Sequence, residues 1–236
     1  KALTDREGPD NNPVISPNGQ LIAYLGYDDR YQGYQVTRLY VMNRDGSGKR
    51  LVTGEFDRSV ENINWSEDGG GLFFQYDDRG DTKIGFVTLD GQVATLAEHV
   101  GGLSLGRPYS AGTYSVAENG AFAFTLSRPD FPADVAVGRR GDRATRLTRL
   151  NEDLLGDKEL ATVEEIWFKS SFDGREIQGW VVKPPGFEPS KTYPLILEIH
   201  GGPFANYGDR FSAEIQLYAA AGYIVLYANP RGSTSY

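Results

Sequence analysis

Few side chains in this sequence could do covalent chemistry. Among 236 residues there is no cysteine, and the two histidines are His99 and His200. Zero cysteines exclude disulfides, thiol catalysis and thiolate metal sites. Two histidines so far apart in sequence argue against a structural zinc site, and no metal or cofactor is expected. What remains is backbone and hydroxyl chemistry. His200-Gly201-Gly202-Pro203 closes an apolar run, Leu195-Ile-Leu-Glu-Ile199, that begins after Pro194. Two residues without side chains let a carbonyl group come close to the main chain, where an N–H can stabilise an oxyanion. One such donor is typically worth on the order of 10²–10³ in rate. A second stretch, Gly102-Leu-Ser-Leu-Gly106, spells the Gly-x-Ser-x-Gly pattern of an exposed nucleophilic serine. It precedes the glycine-closed strand instead of following it, and it runs into Arg107-Pro108-Tyr109 instead of a helix. We read it as a connecting segment, and Ser104 is not taken as a nucleophile.

The elements that must position the glycine turn can be read from periodicity. Leu195 to Ile199 predicts a strand buried on both faces that ends in a tight, backbone-exposing turn. Residues 209–221 predict a helix, with Phe211, Ile215, Tyr218 and Gly222 at helical spacing. Tyr223-Ile-Val-Leu-Tyr-Ala228 predicts a second buried strand that runs into Asn229-Pro-Arg-Gly-Ser233. Strand, turn, helix, strand is a βαβ unit, and open parallel sheets place their chemistry at the carboxyl ends of such strands.

His-Gly-Gly-Pro after an apolar strand, followed some thirty residues later by Asn-Pro-Arg-Gly-Ser, resembles the prolyl oligopeptidase family of serine peptidases. The similarity is greatest to its acylaminoacyl-peptidase and dipeptidyl-aminopeptidase branch. The resemblance implies a β-propeller joined to an α/β-hydrolase domain. It also implies that the second glycine of the motif, Gly202, donates an oxyanion N–H, with His200, Gly201 and Pro203 shaping the loop. In some branches a tyrosine at the place of His200 gives its hydroxyl to the oxyanion; direct participation of His200 is the lesser reading here. Arg231 is expected to tie neighbouring loops together through its several fixed donors. The family run usually continues to Gly-Tyr-Gly, where this chain has Ser235-Tyr236.

Residues 1–150 carry an internal repeat. Ser16-Pro-Asn-Gly, Ser66-Glu-Asp-Gly and Ala117-Glu-Asn-Gly each precede an apolar strand, and second hairpins follow at Asp45-Gly46, Asp90-Gly91 and Arg140-Gly141. Four strands per unit of about 50 residues is the pattern of a propeller blade. The fold class expected is therefore mixed: a partial β-propeller of about three four-stranded blades, then the N-terminal part of an α/β-hydrolase domain. Residues 151–162, polar and acidic, are expected to be a linker. Residues 163–236 are expected to open the hydrolase sheet with a hairpin about Asp173-Gly174. Three blades do not close a ring, so further blades are expected before Lys1. In α/β-hydrolases the order is oxyanion loop, Ser, Asp, His, so the catalytic triad is expected beyond Tyr236.

Composition bounds the partners. A net charge of −8 and a pI near 4.9 argue against a nucleic-acid surface, which would need a basic patch. No segment approaches the roughly 18 apolar residues of a membrane span. A short peptide is the expected substrate, no nucleic acid or membrane the expected partner, and homo-oligomerisation, compartment and peptide-end preference stay open. Two other readings remain beside the peptidase: a binding propeller with an inert hydrolase-like domain, and an esterase with the same oxyanion geometry. Arg79-Gly80-Asp81 reads as a turn between blade strands, Asn64-Trp65-Ser66 as an accidental glycosylation pattern, and His99 as a loop or blade-edge residue. The acidic pairs Asp28-Asp29, Asp77-Asp78 and Glu164-Glu165 read as solvated surface.

Overall fold

Residues 2–236 are described in the computed structural model. Three times along the chain a glycine-containing hydrogen-bonded turn joins the first two strands of a four-stranded antiparallel meander. In the first, the Ser16 hydroxyl accepts from Leu21 N (2.9 Å) and donates to Asn18 Oδ1 (2.8 Å). In the second, Ser66 Oγ accepts from Gly71 N (3.2 Å) and donates to Asp68 Oδ1 (2.6 Å). In the third, Ala117 has no hydroxyl and closes the turn through its backbone, Ala117 N to Ala121 O at 2.8 Å. Gly19, Gly69 and Gly120 take φ of 70°, 66° and 74° in these turns, a conformation that costs glycine little.

The first meander is β1 (Asp10–Ile15), β2 (Leu21–Gly26), β3 (Arg38–Asn43) and β4 (Arg50–Leu51). The second is β5 (Glu61–Trp65), β6 (Gly71–Asp78), β7 (Asp81–Thr88) and β8 (Val93–Ala97). The third is β9 (Tyr114–Val116), β10 (Ala121–Arg128), β11 (Phe131–Arg139) and β12 (Thr145–Arg146). The middle sheet is buried on both faces, because alternate residues of a strand point opposite ways. Leu72, Phe74 and Tyr76 of β6 meet Ala23, Leu25, Leu39 and Val41 of the first sheet. Phe73, with Ile84 and Phe86 of β7, meets Phe122, Phe124 and Ala136 of the third. Each fully buried aromatic or aliphatic side chain stabilises such a stack by about 1.5–3 kcal/mol. The three sheets stack without closing a ring.

After a one-turn helix α1 (Glu152–Leu155), a fourth sheet follows. It contains β13 (Thr162–Lys169), β14 (Glu176–Lys183), β15 (Leu195–Glu198) and β16 (Ile224–Asn229), with α2 (Ala213–Ala220) between the last two. The strand order is β13-β14-β16-β15, and β15 pairs with β16 in parallel while the other neighbours are antiparallel. One face is sealed: Trp180 stacks on Tyr227 (5.1 Å, 16°), and Val182, Val225, Ile215 and Ala219 pack around them.

Two expectations are corrected here. β15 is not buried on both faces, since Leu195, Leu197 and Ile199 are 60%, 54% and 64% exposed. The only long helix among the described residues lies on the opposite side, so this row has nothing packed over it. The helix also begins four residues later than its periodicity suggests. Ser212 is its N-cap, accepting from Ile215 N at 3.3 Å, and Asp209 and Arg210 bend toward the second sheet, where Asp209 N donates to Gly80 O (3.1 Å). No helix among the described residues is long and apolar enough to cross a membrane.

Candidate functional site

The carboxyl ends of β15 and β16 each release a loop, and the two loops are knitted together. From β15, His200 turns inward and is buried. A carbonyl can only accept, so Nδ1 donates to Gly201 O (2.8 Å), and Nε2 is left to accept from Ser233 Oγ (2.9 Å) in the β16 loop. Thr234 N donates to Ala205 O (3.0 Å) and Thr234 Oγ1 to Asn206 Oδ1 (2.8 Å). Asn229, at the end of β16, holds Tyr207 by both backbone groups: Tyr207 N donates to Asn229 Oδ1 (2.8 Å) and Asn229 Nδ2 to Tyr207 O (3.0 Å).

Between these clamps lies Gly202, exposed, at φ 141°. A Cβ placed there would lie 2.8 Å from Phe204 N, so both the backbone conformation and the space select glycine. The N–H of Gly201 donates to Tyr109 Oη (3.4 Å), and Ala205 N donates to Pro203 O (2.8 Å). The Gly202 N–H has no hydrogen-bond partner among the described residues. A cavity of about 720 Å³ opens beside the loop, walled by Tyr34 of the β2–β3 connection, by Arg58 between the first two sheets, and by Tyr109, Phe204, Ser233 and Tyr236. Tyr34 stacks on Phe204 in its wall (5.5 Å between ring centroids).

His200, Gly201, Gly202 and Pro203 thus occupy one turn, with Ser233 against it. Ser104 is not part of it: its hydroxyl donates to Arg107 O (2.8 Å) within its own segment. Arg231 reaches Asp173 in the β13–β14 turn, which joins two loops as its type suggested. Asn64 has its amide on Tyr114 Oη (3.1 Å) in the seam between the second and third sheets.

Sequence reading missed how the first three sheets hold the fourth. The turn at Arg79-Gly80, which joins β6 and β7 as expected, also plugs into the fourth sheet. Gly80 N donates to Ser235 Oγ (3.0 Å), Gln178 Nε2 to Arg79 O (2.7 Å), and the buried Arg210 to Gly80 O (3.0 Å) and to Thr82 Oγ1. Beside it, His99 sits with Nδ1 3.7 Å from Asp81 Oδ1 and 4.0 Å from Asp209 Oδ2, while its backbone N–H donates to Asp81 (2.9 Å). Burial raises the Asp81 carboxyl to about 6, against the pull of His99, Arg210 and Lys83. Asp81, Glu98 and His99 bring ligand atoms within 4.8 Å of one another. Lys83 already neutralises Glu98 (3.0 Å), so the donor set does not fit a cation. Asp77 and Asp78 are not freely solvated, being half-buried against Thr82, Arg58 and Lys83. No local sequence pattern marks the plug, because Gly80 with Ser235, Arg210 with Gly80 and Arg79 with Gln178 join residues 155, 130 and 99 positions apart.

No family model matches the chain. It is 31% identical over 192 residues to the uncharacterized peptidase YuxL of Bacillus subtilis, covering 80% of this chain and 27% of that protein. It is 30% identical over 244 residues to dipeptidyl-peptidase 5 of Trichophyton schoenleinii, covering 98% and 32%. The chain belongs to the prolyl oligopeptidase family. It spans about a third of the length of the family members it matches. The fold agrees with that of the acylaminoacyl peptidase of Pyrococcus horikoshii, with a TM-score of 0.74, 24% identity, and coverage of 95% of this chain and 33% of that one.

Proposed function

We propose that the complete protein is a serine-type peptidase that cleaves short peptides by acyl transfer. In this reading the three meanders are blades of a β-propeller that restricts access to the cavity. Residues 163–236 open an α/β-hydrolase domain, and the bare Leu195, Leu197 and Ile199 row is the sheet face that the rest of that domain covers. Gly202 supplies one oxyanion N–H; His200, Gly201 and Pro203 shape the loop that carries it. The nucleophile, its base and the orienting carboxylate come from chain outside these residues, in the order such enzymes use. Short peptides are favoured because relatives are named as dipeptidyl-peptidases and a structural neighbour was solved with a tripeptidyl chloromethyl ketone.

The observation that carries this reading is the unpaired N–H of Gly202, a position that admits no side chain, at the carboxyl end of a parallel strand. His200 and Ser233 have the spacing of a base and a nucleophile, but no carboxylate orients the imidazole, whose Nδ1 is turned to Gly201 O. We read that pair as the clamp between the two loops. Gly202→Val in the complete protein is expected to lower kcat on aminoacyl-anilide or acyl-peptide substrates by about 10²–10³ with a small change in melting temperature. Residues 1–236 by themselves are expected not to react with a fluorophosphonate. Undiminished turnover in the variant, or stoichiometric labelling of the isolated segment, would remove the assignment.

A further inference from the structure

We propose that Tyr109, which comes from the connection between the second and third sheets, is a positioning residue for the Gly201-Gly202 turn. The proposal rests on the oxyanion reading of Gly202 and adds a dependence that reading lacks: the loop is held in register by the propeller side of the molecule.

Residues 102–110 form a strap that lies across the fourth sheet's working end. Leu105 O and Gly106 O accept from Ala213 N (2.9 Å) and Glu214 N (3.2 Å), two of the free N–H groups that begin α2. Gly106 O also accepts from the N-cap hydroxyl of Ser212 (2.6 Å). Arg107 bridges Glu198 of β15 (3.1 Å) and Glu214 of α2 (3.1 Å). Pro108 O accepts from Gly208 N (2.9 Å), and Tyr109 pairs with Tyr207 in an isolated antiparallel bridge. The strap is therefore fixed to the strand before the glycine turn, to the segment after it and to the helix beyond.

From that anchored backbone the Tyr109 ring packs on Tyr207 (4.8 Å between centroids) and lies edge-on to His200 (6.4 Å). Its hydroxyl oxygen accepts the Gly201 N–H at 3.4 Å. Tyr207 is itself fixed by its hydroxyl on Glu198 Oε1 (2.9 Å). Two adjacent glycines have the widest backbone freedom a chain can have, and a catalytic donor loses its effect when displaced by about 1 Å. Engaging the Gly201 N–H fixes the His200–Gly201 peptide plane, while His200 Nδ1 holds the next plane, the one that carries the Gly202 N–H, by its Gly201 carbonyl. It also leaves Gly202 as the unoccupied donor. Tyr109 touches no reacting atom in this scheme; it acts through Gly201.

The test uses the complete protein and Tyr109→Phe, which keeps the ring contacts with Tyr207 and His200 and removes only the hydroxyl. The expected result is a fall of about tenfold in kcat, KM within about twofold, and the same tenfold loss of affinity for a peptide aldehyde that forms a tetrahedral adduct. The melting temperature should be unchanged. A merely structural Tyr109 would lower the melting temperature or leave the aldehyde affinity alone. Gly202→Val is measured in parallel. If it abolishes turnover while Tyr109→Phe leaves kcat and aldehyde affinity unchanged, the role of Tyr109 is overturned and the oxyanion reading survives. If Gly202→Val retains full turnover, both fall.

Discussion

Asp134 at the outer seam of the third sheet and Asp81 at the plug between the second sheet and the fourth are both withdrawn from solvent, and their surroundings push them opposite ways. Asp134 on β11 is 2% exposed. Burial works to raise its carboxyl, but the Leu150 N–H (2.9 Å), the Thr148 hydroxyl (2.8 Å) and Arg146 outweigh it and hold the group below the usual carboxylate range. Asp81 is raised to about 6, because its burial outweighs His99, Arg210 and Lys83. Arg210 turns its donors to Gly80 O and Thr82 Oγ1 instead, leaving Nε without a partner. A buried charge is stabilising where the protein gives it hydrogen bonds, and costly where the nearby cation is already engaged.

The largest effect expected from breaking this contrast is at Asp134. Asp134→Ala leaves Arg146, Thr148 and the Leu150 N–H without their shared acceptor, and should cost about 3 kcal/mol in the complete protein, read from chemical denaturation. A loss near zero would show that water replaces the carboxylate at no cost.

Asp81→Asn should act the other way, and by less. The folded pKa lies above the unfolded value near 3.9, so the folded state binds the proton more tightly. That contribution is full below about pH 4 and is lost as pH rises through about 6. The amide can still accept the His99 N–H, so the variant should gain about 1–2 kcal/mol at pH 8 and flatten the pH dependence of stability between 4 and 6. Asp134 has the opposite slope: its contribution is present above the unfolded value and disappears as pH falls through its lowered folded value. A destabilised Asp81→Asn at pH 8 would mean that the carboxylate's attraction to Arg210 and Lys83 outweighs its desolvation.

The smallest effect calibrates both. Asp173 meets Arg231 at the surface, where Arg231 is half-exposed. Asp173→Asn should leave the melting temperature unchanged at physiological salt, since exposed pairs contribute little. A clear drop would show that the tie between the β13–β14 turn and the β16 loop is structural in its own right.

Much of the architecture was legible because it is written locally. Asn-Gly and Asp-Gly turns at fixed spacing announced the three meanders, and the turns of Ser16 and Ser66 use the same hydroxyl in the same way. A finer mark was missed: Asn12 and Asn62 take φ of 49° and 50° at matching irregularities of β1 and β5. The His200 turn and the Asn229 loop could be singled out because glycine and proline punctuate apolar runs. The start of α2 was misplaced because Phe211 continues the helical spacing, although Asp209 and Arg210 are drawn off by Gly80 and Thr82. Gly102-Leu-Ser-Leu-Gly106 belongs to a strap whose carbonyls are spent on α2, a fact with no signature in its own letters.

The sequence by itself determined which stretches become strands, where they turn, and that two adjacent glycines close the run before Pro203. Turn chemistry and hydrophobic alternation act within a few residues and need no partner to be read. Tertiary structure alone decided that Tyr109 reaches Gly201, that Arg79-Gly80 plugs the fourth sheet, and that Asp81 and Asp134 are pushed in opposite directions. Each of those outcomes depends on which distant donors remain free once the backbones have docked, and a hydrogen-bonding group can be engaged only by neighbours the fold has already placed.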